Sequence, residues 1–472
     1  MTTEKNEKLK TGLIVFLVLL SVFQIGIHWS KQSQGLPFNF LSAIFASNGE
    51  LPTIDVEILK ERYFRPEAVI VSIGKNFWKL NEMDERYNKI WEDIRDNYLP
   101  VILKKKADAV LPKERWPEIA ASRGLKIDFL VNWPGNVVGW FEETSSGDSR
   151  SFEGIKSIVI VPEDNVNQTI NTVYIYDEKQ VCQYQVNIEK DYLPKNYYAR
   201  LADELTENDI PRQSLLSSYP GFVTDIDIFV PGEEGYNYSS IEVSIPEAVV
   251  LSKDNIENYN IQDSILLQQK ESLSAQYSEN SDNVMFTDTE NLYRLYKDGV
   301  LEYKYIPADT AQAGEASAAF NHAISFIEHR RSLVGEADIV LTRVVPEKRY
   351  YLLEFSYRIN GAFAYYSDSE GRISAPIEIK ANSERILECR WIIRKFSSTG
   401  KQYHSESFGD LLNKQIVVSY PEIINRETRY FSRLEQGYVF SIDDTGGELL
   451  MPGWIISTGE KDYFIPFLEK KG

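Results

Sequence analysis

Apolar residues along this chain recur with three distinct patterns, and each predicts a different kind of element. From Gly12 to Trp29 they are almost continuous: Leu13 to Leu20 is wholly apolar, and only Ser21, Gln24 and His28 interrupt the run that follows. At ~1.5 Å per residue the run spans roughly 27 Å, close to the ~30 Å hydrocarbon core of a bilayer, so it predicts one membrane-crossing helix. Elsewhere the apolar positions come in short runs or alternate with polar ones, as strands require, or recur every three to four residues, as helices require. Ala68 to Ile73, Leu125 to Val131 and Ser157 to Val161 read as buried strands. Leu80, Met83, Tyr87, Ile90, Ile94 and Tyr98 keep helical spacing and predict a helix from Lys79 to Leu99, ended by Pro100.

Hairpins follow. Thr172 to Tyr176 and Val181 to Val186 flank the polar turn Asp177-Glu178-Lys179-Gln180, and Thr224 to Val230 alternates as a half-exposed strand. Leu292 to Tyr296 and Val300 to Tyr303 flank Lys297-Asp298-Gly299, where Asp-Gly supplies the positive φ of a tight turn. Short helices are predicted from Lys195 to Leu205, Ala316 to Arg330 and Phe408 to Ile416. Tyr350 to Tyr357 with Gly361 to Tyr366, and Gly437 to Ile442 with Glu448 to Ile456, complete the strand pairs. The order hairpin, helix, strands returns two or three times, which raises duplication of one α+β unit.

The fold class expected is therefore α+β: one N-terminal transmembrane helix, then two or three extracytoplasmic domains of antiparallel sheet plus helices. Residues 1–10 are expected as a cytoplasmic tail, 11–29 as the membrane helix and 30–50 as a linker. An N-terminal α/β domain is expected at 51–165, a middle α+β domain at 166–255 and a C-terminal α+β region at 284–472. The polar stretch 256–283, rich in Gln, Ser, Glu and Asn, is the expected boundary between the last two.

Charge orients the chain. Lys5, Lys8 and Lys10 precede the apolar run and only Lys31 closely follows it, so the start is expected inside the cell and the bulk outside. A cleaved signal peptide is the rival, but small residues at the right spacing come no earlier than Ser33-Gln34-Gly35, beyond Trp29 and Lys31. With 51 Lys and Arg against 70 Asp and Glu, the net charge of −19 disfavours nucleic acid and anionic lipid surfaces as partners. A hydrophobic content of 43% is ample for packed cores. Two cysteines, Cys182 and Cys389, exclude a disulfide scaffold and leave open whether they pair.

Candidate chemistry is thin. Ser72-Ile73-Gly74-Lys75 and Ser281-Asp282-Asn283 are fragments of a penicillin-binding signature, but Ser72 falls in a predicted strand, Ser281 in the polar stretch, and the only Lys-Thr-Gly is Lys10-Thr11-Gly12. His322 and His329 lie seven apart, two helical turns, too far to share a metal, and read as solvated or capping residues. Asp225 and Asp227 share a strand face expected to meet water, and Asp443 and Asp444 suit a turn. No catalytic, cofactor-binding or metal-binding residue is assigned. The apolar helix carries more information: Ser21, Gln24 and His28 fall at i, i+3 and i+7 and form one polar stripe. Either the stripe docks on another membrane helix, or Ser21 bonds its own backbone and His28 reaches for the interface.

Several stretches resemble the YycH family of anchored bacterial proteins, with YycI-like similarity in the last half. They are Phe286-Thr287-Asp288 leading to Leu292 through Tyr303, the helix with Ala323-Ile324-Ser325-Phe326-Ile327, Gly361 to Tyr365 leading to Gly371-Arg372-Ile373, and Met451-Pro452-Gly453-Trp454. Thr289 departs from the glycine expected after Phe-Thr-Asp. The resemblance implies a non-enzymatic regulator of a WalK-like sensor histidine kinase in cell-wall control. It implies contact through the membrane helix and the outer domains, a second anchored regulator of YycI type as partner, and no cofactor. An extracytoplasmic cell-wall enzyme or ligand-binding protein is the alternative.

Overall fold

The computed structural model describes residues 53–469 apart from 74–75, 81, 83, 143–150, 163–169, 189–196, 208–211, 225–226, 232–236, 259, 268–272, 277–281, 308–310, 336, 368–372, 406, 413–428, 443–447 and 459–460. The expected membrane helix, with Ser21, Gln24 and His28, lies outside the described residues. Among those described, no helix is long and apolar enough to cross a membrane.

Nine strands build the first sheet: β1 (Ala68–Ile73), β2 (Asn76–Leu80), β3 (Ala109–Pro112), β4 (Gly124–Pro134), β5 (Gly154–Pro162), β6 (Ile170–Tyr176), β7 (Gln180–Asn187), β8 (Gln213–Leu215) and, after the short β9 (Phe222–Val223), β10 (Phe229–Pro231). Their spatial order is β10-β8-β2-β1-β4-β5-β6-β7-β3, with every pairing antiparallel. The predicted hairpin at 172–186 is the β6–β7 pair, with Val173 opposite Tyr184 and Glu178 at φ 70° in its turn. The boundary expected at 165/166 falls between β5 and β6, which pair over six positions from Ser157 to Pro162. Segment 51–165 and the strands of 166–255 up to Pro231 thus share one sheet, because the alternation of β6 needs a neighbour to bury its inner face.

A second sheet of sixteen strands runs from Ser274–Gln276 at one edge to Leu468–Glu469 at the other. The expected Asp-Gly hairpin is present, with Tyr293 opposite Tyr303 and Gly299 at φ 75°. Asn237–Ser244, from the expected middle segment, is inserted between Glu448–Ser457 and Lys395–His404. Within the expected polar boundary at 256–283, the described residues include core and sheet positions. Ile261, Ile265 and Leu266 are wholly buried in the main core, Ser274–Gln276 joins the sheet, and Arg330 Nε donates to the carbonyl of Ile265 at 2.8 Å. A few apolar residues at helical spacing, in helix Asn260–Ile265, outweigh the polar composition around them. Residues 54–472 form one compact unit by their contacts.

The helix predicted from Lys79 to Leu99 starts later and does not end at Pro100. Lys79 and Leu80 belong to β2, and helix Glu85–Asp93 opens on Asp84, whose carboxylate accepts the amide of Arg86 at 2.9 Å. A π-helical turn, Ile94–Tyr98, leads into helix Leu99–Lys104. The wider turn places Pro100 in the first turn of the next segment, where its missing N–H leaves no bond unmade. Among the described residues, the strand expected at 224–230 is present as Phe229–Pro231, and of the helix expected at 408–416 only Phe408–Asp410 is α-helical. Helix Ala316–Glu328 buries Phe320, Ala323, Ile324 and Ile327, the predicted stripe.

An aromatic cluster anchors the first sheet: Phe64 stacks on Phe129 (5.3 Å) and Phe141 (5.6 Å) and meets Trp91 and Trp133 edge-on. Trp133 also reaches Phe320 at 5.8 Å, so one continuous core spans β4 and the helix over the second sheet. There Trp391 Nε1 donates to the Tyr357 hydroxyl at 2.7 Å, which donates to the carbonyl of Ile392 at 2.7 Å.

Candidate functional site

Several chemical candidates are resolved by where the strands put them. Ser72 is buried in β1 and its hydroxyl donates to the carbonyl of Ser122 at 2.5 Å, a structural bond. Asn283 opens a strand. His329 caps helix Ala316–Glu328, its Nδ1 2.6 Å from the carbonyl of Ser325. Half-buried His322 sits in the same helix, and burial lowers its pKa. Cys182 and Cys389 form no disulfide, and burial pushes their thiols up to about 11 and about 12, which suppresses the nucleophilic thiolate. Asp225, Ser281, Asp443 and Asp444 lie outside the described residues. Among those described, no three His, Cys, Asp or Glu side chains gather as a metal site.

Where polar side chains do converge is a cleft of about 720 Å³ between the two sheets. One wall comes from β1, β2 and β10 with Asp128 and Lys156. The other comes from strands Tyr351–Ile359, Ala362–Ser367 and Arg433–Ile442. Several charged residues reach it because they stand on strands whose alternate positions enter the core: Arg433 and Glu435 flank buried Leu434, and Lys126 and Asp128 flank buried Ile127.

Most of these charges are matched within the cleft. Lys79 Nζ lies 2.8 Å from Glu67. Burial works to raise the Glu67 carboxyl, but Lys79, with help from Lys156 and Lys126, outweighs it and holds the group below its ordinary value. Lys126, only 5% exposed, is clamped between Asp128 (2.9 Å) and Asp227 (2.7 Å) over the Phe229 ring. Burial opposes its charge, yet the two carboxylates win and raise its pKa. Asp227 therefore does not simply face water, as its strand pattern suggests: across the sheet it meets a buried ammonium. Lys156 donates to the carbonyls of Phe129 (2.6 Å) and Leu130 (2.8 Å). Arg358 binds Glu82 at 2.5 Å and so ties the two sheets together.

Glu435 is the exception. Its Oε1 is buried and accepts no hydrogen bond among the described residues, and Arg433 stands 3.7 Å away. Burial raises its pKa against the pull of Arg433 and the Tyr365 hydroxyl. Arg433 is itself shared with Asp462 at 3.8 Å and stacked over Tyr365, its guanidinium 5.2 Å from the ring centroid. Serine and threonine hydroxyls, aromatic faces and paired ions line the cleft, and no histidine or cysteine stands among the described lining residues. Such a surface suits recognition of a polar ligand. Sequence reading missed it because its members are scattered from Glu67 to Glu435; the available signal was charge at i and i+2 within apolar strands.

No known protein family's sequence profile matches the chain, and no curated protein does. Among solved structures, YycH from Bacillus subtilis has the same fold: TM-score 0.58 at 12% identity, over 89% of this chain and 99% of that one. An uncharacterized protein from Eubacterium rectale (TM-score 0.34, 11% identity, 55% and 90% covered) and the Bacillus megaterium YpeB C-terminal domain (0.24, 14%, 47% and 96%) align more loosely. The expected YycH resemblance is thus met in the fold, through both sheets.

Proposed function

We propose that this chain is a membrane-anchored, extracytoplasmic regulator of a WalK-like sensor histidine kinase, acting by protein contact. The observation that carries the reading is the fold shared with YycH across nearly the whole of that chain. It agrees with the resemblance of the stretches around Leu292 to Tyr303 and Met451 to Trp454. In this reading residues 11–29 cross the membrane, Ser21, Gln24 and His28 face a partner helix, and a YycI-like protein completes the assembly. To test it, a photo-crosslinker is placed at Gln24 in the full chain, in cells carrying a WalK-like kinase and its reporter. Trapping of the kinase or of the second regulator, with altered reporter output on deletion, is the expected outcome. Lipid adducts alone, with reporter output unchanged, would overturn it. A ligand-binding role is the second reading, favoured by the cleft between the sheets.

A further inference from the structure

The cleft described above has three properties that together specify an occupant. First, it borders a second cavity of about 340 Å³: both are lined by Glu82, Arg358 and Gly361, so the Arg358–Glu82 pair stands where the two spaces meet. A compact ligand needs only one of them; an extended one uses both.

Second, its walls hold polar atoms that meet no partner among the described residues. There, Arg358 Nε, Gln436 Nε2 and Trp454 Nε1 are buried donors without an acceptor, and Glu435 Oε1 is a buried acceptor without a donor. Buried polar groups are nearly always paired, and leaving one unpaired is costly. Gln436 and Trp454 stand directly opposite each other on paired strands. The half-buried side chains of Gln436 and Glu435 can turn toward an occupant that offers both carbonyl oxygens and N–H groups. A peptide backbone is the ligand chemistry that supplies the two together along a line.

Third, the local charge is unbalanced at one end. Glu435 and Asp462 share the single guanidinium of Arg433 at 3.7 and 3.8 Å, while Lys79, Lys126, Lys156 and Arg358 are each engaged by a carboxylate or carbonyl within 3 Å. At that end two carboxylates thus share one guanidinium, in a protein of net charge −19 that attracts cations from a distance.

We propose that the cleft binds an extended peptide bearing a lysine or arginine, with Glu435 receiving the cationic side chain and the donors around Arg358 and Trp454 receiving backbone carbonyls. The inference stands apart from the kinase reading, since it concerns the purified chain alone. The test is fluorescence anisotropy on the full-length protein in detergent, using labelled Ala-Lys-Ala-Lys-Ala capped at both ends and its Ala-Glu-Ala-Glu-Ala counterpart. The lysine peptide should bind saturably and the glutamate peptide should not. Glu435→Gln should weaken the lysine peptide roughly ten- to hundred-fold, the loss of one charge-assisted hydrogen bond, with near-ultraviolet circular dichroism unchanged. Ser374→Trp, at a half-buried lining position, fills the cleft without touching the charge and should abolish binding. Equal binding of the two peptides, full affinity in a folded Glu435→Gln protein, or full affinity in Ser374→Trp would each overturn the proposal.

Discussion

Glu435 shows how one side chain can be set against the fold that holds it. Its carboxyl is raised above the ordinary value of 4.5 because burial outweighs the help of Arg433 and Tyr365. In the unfolded chain it ionises near its ordinary pKa; in the folded protein it does so only at higher pH. The folded state therefore loses stability as pH rises from the unfolded value through the folded one, and the loss is complete above both. Glu435→Gln removes a charge that the fold resists, so it should raise the urea midpoint at about pH 7.5 and leave it nearly unchanged at about pH 4. A lower midpoint at the higher pH would show that Glu435 stabilises the fold through its ion pair. Glu67 has the opposite sign: held below 4.5 by Lys79, it contributes stability above its unfolded pKa that is lost as pH falls through the folded one.

Elements in this protein are fixed by contacts that local propensity does not encode. Helix Tyr197–Glu207 docks on helix Glu85–Asp93 through the Tyr198 hydroxyl, which donates to Asp93. Asp93 is 4% exposed and also accepts from Asn97 at 2.9 Å. Tyr198→Phe leaves that carboxylate half satisfied and should cost about 1–3 kcal/mol in urea unfolding with an unchanged m-value. No measurable loss would mean that Leu201 and Leu205 alone seat the helix. Periodicity made this helix, the β6–β7 and Asp-Gly hairpins and helix Ala316–Glu328 legible in the sequence. It failed at Lys79 to Leu99, where Leu80 fits a helical stripe yet pairs with Val69 in a hairpin, and at Pro100, where a π turn resets the register. A residue at the end of an apolar run satisfies both periods, and only its neighbour in space decides between them.

Across the whole molecule, the two sheets are joined by a shared core and by specific bridges. Besides Arg358 with Glu82, helix Val56–Tyr63 reaches helix Ala316–Glu328: Glu328, whose side chain is 4% exposed, accepts from Arg62 and from the Tyr63 hydroxyl, the latter at 2.8 Å. Glu328→Ala strands the buried Tyr63 hydroxyl, while half-exposed Arg62 stays solvated, and should lower stability by about 1–3 kcal/mol. Unfolding should remain a single transition, whether followed by tryptophans of the first sheet such as Trp78 and Trp133 or of the second such as Trp391 and Trp454. Two separate midpoints would show that the sheets fold independently. Taken alone, the sequence determined the α+β class, most hairpins and the placing of Ser72 in a strand. These depend on period and turn chemistry within a few residues. Only the tertiary structure decided that the strands up to Pro231 extend the sheet of segment 51–165 and that Ile261, Ile265 and Leu266 of the polar stretch enter the core. Likewise, only it brought Glu67, Glu82, Arg358 and Glu435 together around one cleft. Strand order and the pairing of buried charges are set by which surfaces meet across hundreds of residues, and the pattern along a single strand carries no record of its neighbour.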